Sequence, residues 1–250
     1  MKTLNTYINE KLVLNKGTFK KREYKYFPKN TDELREILND IFGRNSGSQK
    51  IIDLNDIDTS KITDTINLFR YTTLMRNDIT KIDISEWDMS NVINMTGMFY
   101  ECIRLKSVGN LASWNVSQVR DMRELFCNCY SLESVGDLSL WDVSSVTNMT
   151  GMFENCYWLK SIGDIDRWDV SKVTSMMFMF EDCNKLESIG DISDWKISKI
   201  TSFYAMFRHC KKLNSVGDLN KWDIKNVDSD GLNNMFFNTY IENLPKWYKG

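Results

Sequence analysis

Histidine is nearly missing from this chain, with His209 the only one in 250 residues. A histidine-based metal cluster or a Ser-His-Asp constellation therefore has almost nothing to build on. Charge of one sign is also lacking. The 32 basic and 34 acidic residues leave a formal net charge of −2, which argues against a dedicated partner in nucleic acid or an anionic membrane. No run of eighteen apolar residues occurs, so no membrane-spanning helix is expected. The opening MKTLNTYINEKLVLNKG has no apolar core, so no signal peptide is expected. That leaves a cytoplasmic or virion-associated location unless another route exports the chain. Proline is scarce too, and its two copies, Pro28 and Pro245, fall outside the regular part of the sequence.

What is abundant is repetition. Trp87, Trp114, Trp141, Trp168, Trp195 and Trp222 stand 27 residues apart. Cys102, Cys129, Cys156, Cys183 and Cys210 keep the same register, as do Gly109, Gly136, Gly163, Gly190 and Gly217. A fixed period of this length is the mark of a solenoid, because one unit cannot bury its own apolar face and must stack on its neighbours. A worn copy precedes the regular ones, with Ile57 in the tryptophan position, and another follows from Trp222 to about Pro245. The hydrophobic fraction of 42% is enough to fill a continuous core.

With the tryptophan counted as zero, apolar residues fall at 2, 5, 8, 11, 12, 15, 18, 21 and 24. In one copy these are Val143, Val146, Met149, Met152, Phe153, Cys156, Leu159, Ile162 and Ile165. The subset at 8, 11, 12 and 15 has helical spacing and predicts a two-turn helix over residues 148–156, with Thr147, Thr174 and Thr201 as N-caps. The SIGDI segment, residues 161–165, reads as a short strand, and Gly163 as a positive-φ position or a close backbone approach. Strands stack about 4.8 Å apart and helices about 8–10 Å, so the stack should curve with its strands inside.

The unit W-D-V-S-x-V-T-x-M-x-x-M-F-x-x-C-x-x-L-x-S, and TNMTGMFENC at residues 147–156 above all, resembles the BspA-like leucine-rich-repeat family of bacterial surface proteins. The resemblance covers roughly residues 53–240. It implies a non-enzymatic adhesion or protein-binding scaffold. The expected architecture is a curved α/β leucine-rich-repeat-like solenoid of about seven coils, spanning 51–250. Residues 1–50 would form a small α/β cap or a docking segment. Within them, residues 6–15 could form a short helix and 19–27 a strand. Residues 32–42 read as a helix N-capped by Thr31, with Leu34, Ile37, Leu38 and Ile41 on one face.

Five cysteines in register read as small buried hydrophobes rather than disulfide partners. Cys127 falls out of register, in line with Tyr100, Glu154, Glu181 and Arg208, and is expected to be exposed. Rows of aspartate after the tryptophans and after the glycines could gather calcium or simply close turns. No nucleotide-binding or nucleophile motif is present, and no catalytic residue, metal or cofactor is expected. Partner-binding candidates lie where the register varies. They are the aromatic residues Tyr130, Tyr157, Trp158, Met177, Phe178 and Tyr204 on one side, and Asp166, Arg167, Asp194 and Lys221 on the other. A host or particle protein is the expected partner. Two rival readings are a phage-particle component docked through residues 1–50, and a glycan-binding module stacking sugars on Tyr157, Trp158 and Tyr204.

Overall fold

The structure is a computed structural model, and it describes residues 23–48, 50–75 and 78–249. The helix expected over 6–15 and most of the strand expected over 19–27 lie outside the described residues. Tyr26, at the end of that strand, forms a parallel bridge with Ile57 in the first coil.

One α-helix is described, α1 (Thr31–Arg44). Its N-cap is Asn30, not Thr31: the Asn30 side-chain oxygen accepts from the Glu33 N–H at 2.9 Å. Thr31 instead reaches across to the first coil and donates to the Asp64 carbonyl at 2.7 Å. Leu34, Leu38, Ile41 and Phe42 are buried, and the Phe42 ring lies 6.2 Å from that of Phe69. The only strands longer than an isolated bridge among the described residues are β1 (Ile52–Asp53) and β2 (Ile82–Asp83), paired in parallel.

The rest of the chain is a repeat solenoid whose coils are turns joined by ladders. The register residues form one continuous core: Trp141, Val143, Val146, Met149, Met152, Phe153, Cys156, Leu159, Ile162 and Ile165 are all buried, as are their equivalents in neighbouring coils. Phe69, Phe99, Phe126, Phe153, Phe180, Phe207 and Phe236 form a ring stack with successive centroids 4.8–5.8 Å apart.

The helix expected over residues 148–156 is not formed, and the backbone shows why. Two positions in each coil adopt left-handed φ, the tenth and the fourteenth after the tryptophan. The tenth is held by Gly97, Glu124, Gly151, Phe178 and Ala205, and the fourteenth by Glu101, Asn128, Asn155, Asp182 and His209. Two left-handed residues within five positions cannot belong to a right-handed helix. Alternating handedness instead turns successive N–H groups to one edge. Accordingly Met122, Glu124, Phe126 and Asn128 donate to the carbonyls of Asn148, Thr150, Met152 and Glu154 in the next coil, at 2.9–3.1 Å.

This ladder packs the Met-Phe side at strand-like spacing, so the bend expected from a helix layer loses its premise. The strand expected at 161–165 is reduced to a single bridge, Ser161 to Ser188. Thr147, Thr174 and Thr201 are not helix caps. Their N–H and hydroxyl groups both donate to the matching residue one coil back, 27 positions earlier.

Two side-chain ladders explain the strict register. From Trp114 to Trp222 each register tryptophan Nε1–H donates to a carbonyl 30 residues earlier, as Trp141 does to Leu111 at 2.9 Å and Trp168 to Leu138 at 3.0 Å. Trp87 donates to Leu54, 33 residues earlier, across the longer first coil. Four of the five register thiols do likewise: Cys129, Cys156, Cys183 and Cys210 donate to the carbonyls of Phe99, Phe126, Phe153 and Phe180 at 3.0–3.2 Å. A cysteine here is both a core filler and a donor. In the worn outer copies Thr72 and Thr239 take the position and donate to their own coil's phenylalanine carbonyl. Gly163 has φ +84°, as expected, and the group that approaches it closely is the Asp137 side-chain carboxylate, into which a Cβ would run, rather than neighbouring backbone.

Candidate partner-binding face

The aspartate rows close turns. Oδ1 of Asp142, Asp169, Asp137 and Asp191 accepts the N–H two residues on, from Ser144, Ser171, Ser139 and Ser193, at 2.9–3.1 Å. Hydrogen bonding from the Ser171 and Ser193 side chains, with these N–H bonds second, holds the Asp169 and Asp191 carboxyls below the usual aspartate value. Asn94, Asp121 and Asn148, seven residues after the tryptophans, close the same kind of turn onto Thr96, Arg123 and Thr150. Among the described residues no group of three or more His, Cys, Asp or Glu side chains is arranged to hold a metal ion.

Cys127 corrects the sequence reading, since it is buried at 4% exposure rather than exposed. Its thiol lies 3.7 Å from Glu154 Oε2 and donates to it. The thirteenth position of each coil forms a row through Arg70, Tyr100, Cys127, Glu154, Glu181 and Arg208. Arg70 lies over the Tyr100 ring, 4.3 Å from its centroid, and Arg208 pairs with Glu181. Burial raises the carboxyl pKa values of both Glu154 and Glu181, and neighbouring acids add to it. Burial likewise pushes the Cys127 thiol up, with Glu154 and Glu124 adding to the shift. Beside this row, His209 Nδ1 lies 3.1 Å from Asp182 Oδ1.

The aromatic candidates separate into two groups. Tyr130 and Tyr157 stack at 5.3 Å with Trp158 adjoining, and the Tyr157 hydroxyl donates to Asn155 Oδ1 at 3.2 Å. Trp158 is 54% exposed, and Lys185 from the following coil holds its ammonium 5.6 Å from the ring centroid. Phe178 and Tyr204 pair edge to face at 5.3 Å, both half-buried, with Met177 beside them. The Tyr204 hydroxyl accepts from Asn234 Nδ2 at 3.3 Å. No ring contact joins the two groups among the described residues.

On the other candidate side, Asp166 and Arg167 lie 3.9 Å apart, and Lys221 pairs with Asp194 at 3.0 Å. All four are exposed, and only Lys221 and Asp194 are close enough to hydrogen-bond.

Sequence reading missed the surroundings of Trp158. A groove of about 380 Å³ opens beside it, lined by Lys106, Ser131, Glu133 and Trp158. The signal was there in the seventeenth position, which carries Arg104, Ser131, Trp158, Lys185 and Lys212. Only Ser131 is small, and the gap sits over it.

The family model described as "Mycoplasma protein of unknown function, DUF285" matches residues 36–156 and 133–247. No curated protein matches the chain. Two solved structures are similar to it. A leucine-rich repeat protein from Eubacterium ventriosum is 16% identical at a TM-score of 0.32, covering 68% of this chain and 33% of its own. The leucine-rich repeat protein of T. pallidum is 19% identical at a TM-score of 0.23, covering 50% of this chain and 63% of its own. The chain thus spans about a third of the first neighbour's length.

Proposed function

The chain belongs to the DUF285 family of BspA-like leucine-rich-repeat proteins, and from that premise we propose that it is a non-enzymatic adhesion scaffold that binds another protein. Solenoids of this kind act by presenting an extended surface whose residues vary over a fixed core. The observation that carries the reading is the contrast between the core and one face. Phe126, Phe153 and Phe180 repeat without change, whereas the sixteenth and seventeenth positions change from coil to coil and carry Tyr130, Tyr157 and Trp158. Exposed aromatic side chains on a rigid support are the usual energetic centre of a protein contact. Here Tyr130 and Tyr157 are already stacked on one another across two coils, so little order has to be created on binding.

Residues 23–48, the described part of the segment before the solenoid, cover the first coil in this reading. Helix α1 lays Leu38 and Phe42 over that coil, and Thr31 occupies a ladder carbonyl that a further coil would otherwise use. The Asp166, Arg167, Asp194 and Lys221 side is the lesser surface, because it offers no aromatic anchor and Lys221 is already bonded to Asp194.

The test is capture of a partner from native-host surface or particle fractions by the full chain. The same experiment is run with a Tyr130→Ala/Tyr157→Ala variant and an Arg167→Ala/Lys221→Ala variant. The expected result is one specific partner lost with the tyrosine variant and kept with the other. Equal capture by all three would refute the assignment of the face.

A further inference from the structure

We propose that the groove between Ser131 and Trp158 is a subsite for one neutral pyranose unit. The proposal goes beyond the protein-contact reading and does not depend on it. The groove has one apolar wall, the Trp158 ring, which the preceding coil leaves uncovered because it offers only Ser131 at that register. Its remaining wall is polar. Lys106 Nζ and Glu133 Oε1 lie 3.7 Å apart, beyond hydrogen-bond length, and both side chains are about half exposed, at 47% and 54%. Each head group therefore keeps unused hydrogen-bonding capacity, Lys106 as donor and Glu133 as acceptor.

An apolar peptide side chain entering here would meet one apolar wall and take water from a charged pair without replacing it. A pyranose ring matches the arrangement. Its C–H face covers the indole, while neighbouring hydroxyls at its rim donate to Glu133 and accept from Lys106. The Lys106 and Glu133 charges cancel within the lining, and the Lys185 ammonium, 5.6 Å from the Trp158 ring centroid, is not among the lining residues. The walls themselves therefore give no preference for an acidic sugar. The groove, about 380 Å³ and open to solvent, leaves room for one ring against the indole. Tyr204, by contrast, contributes nothing to this site, since its ring is edge-paired with Phe178.

The full-length protein is titrated with methyl glycosides of glucose, galactose, mannose and N-acetylglucosamine, one at a time. The indole N–H signal of Trp158 is followed by NMR and identified by its loss in Trp158→Ala. The account expects a saturable shift of that signal with at least one glycoside, while the buried indoles stay still. Ser131→Tyr, which fills the groove and leaves the core untouched, should weaken that binding at least tenfold. Saturation-transfer contact to the same glycoside should vanish in Trp158→Ala. The proposal is overturned if no glycoside moves the signal, or if the shift persists unchanged in Ser131→Tyr. It is also overturned if glucuronic acid binds and the neutral sugars do not, because the site would then read charge.

Discussion

Cys127 shows at the scale of one residue how register and burial can part company. It breaks the cysteine column, yet it is buried with its thiol against Glu154 and its pKa raised. A thiolate is the reactive form, so all six cysteines should label only on unfolding. Mass spectrometry after brief exposure to a thiol reagent checks this, and rapid single labelling at Cys127 would contradict it. Glu154 in the same row supplies a pH test. Its carboxyl pKa is raised in the fold, so the native state holds the proton more tightly than the unfolded chain does. The stability it contributes is present at acid pH and is lost as pH rises from the ordinary glutamate value through the raised one. Glu154→Gln should therefore gain stability relative to the parent as pH climbs through that window, as read by urea melts at several pH values. A difference that does not change with pH would sink this assignment. Backbone handedness gives a third residue-scale prediction. Glu124 is exposed and left-handed at φ 54°, where Gly97 and Gly151 sit in other coils. Relief of that strain by Glu124→Gly should raise stability by about 1 kcal/mol. Gly151→Ala should lower it by a similar amount, and equal signs for the two would argue against left-handed backbone at this position.

At the scale of one coil, the sequence showed the period, the core positions and the turn-closing aspartates, because each depends on spacing alone. The Met-Phe segment was misread for a physical reason. Buried positions at 8, 11, 12 and 15 have the spacing of a helix face, but a coil with two left-handed residues brings the same positions inward. The discriminating signal lay between them. Asn, Asp, His and Glu fill the fourteenth position, glycine appears at the tenth, and Asn, Asp or Ser stands at the seventh. These residue types tolerate left-handed φ or close turns, and a helix interior has no need of them. The Trp158 groove was legible only through the seventeenth position, where Ser131 in the preceding coil is the one small residue beside bulky neighbours. The tryptophan ladder is the firmest element-scale feature. Trp141→Ala removes a buried indole and its bond to Leu111, and should cost about 3–5 kcal/mol. A loss below about 1 kcal/mol in chemical denaturation would mean the ring does not close the core.

Beyond α1 the described chain is a stack whose coils repeat the same bonds to the next, so its identity rests on the ladder rather than on any one element. Far-UV circular dichroism should show little helix, because α1 accounts for 14 residues of the described chain. The rigid ladder also lets a few changes at the sixteenth and seventeenth positions alter the binding face without disturbing the core beneath. The central claim is that the Met-Phe segments pair between coils. The most direct test is an NMR experiment that detects scalar coupling through a hydrogen bond, run on deuterated protein. The account predicts that the Phe126 amide nitrogen couples to the carbonyl carbon of Met152, and that of Phe153 to Met179. Coupling of the Phe126 nitrogen to Met122 instead, the bond of an α-helix, would contradict it.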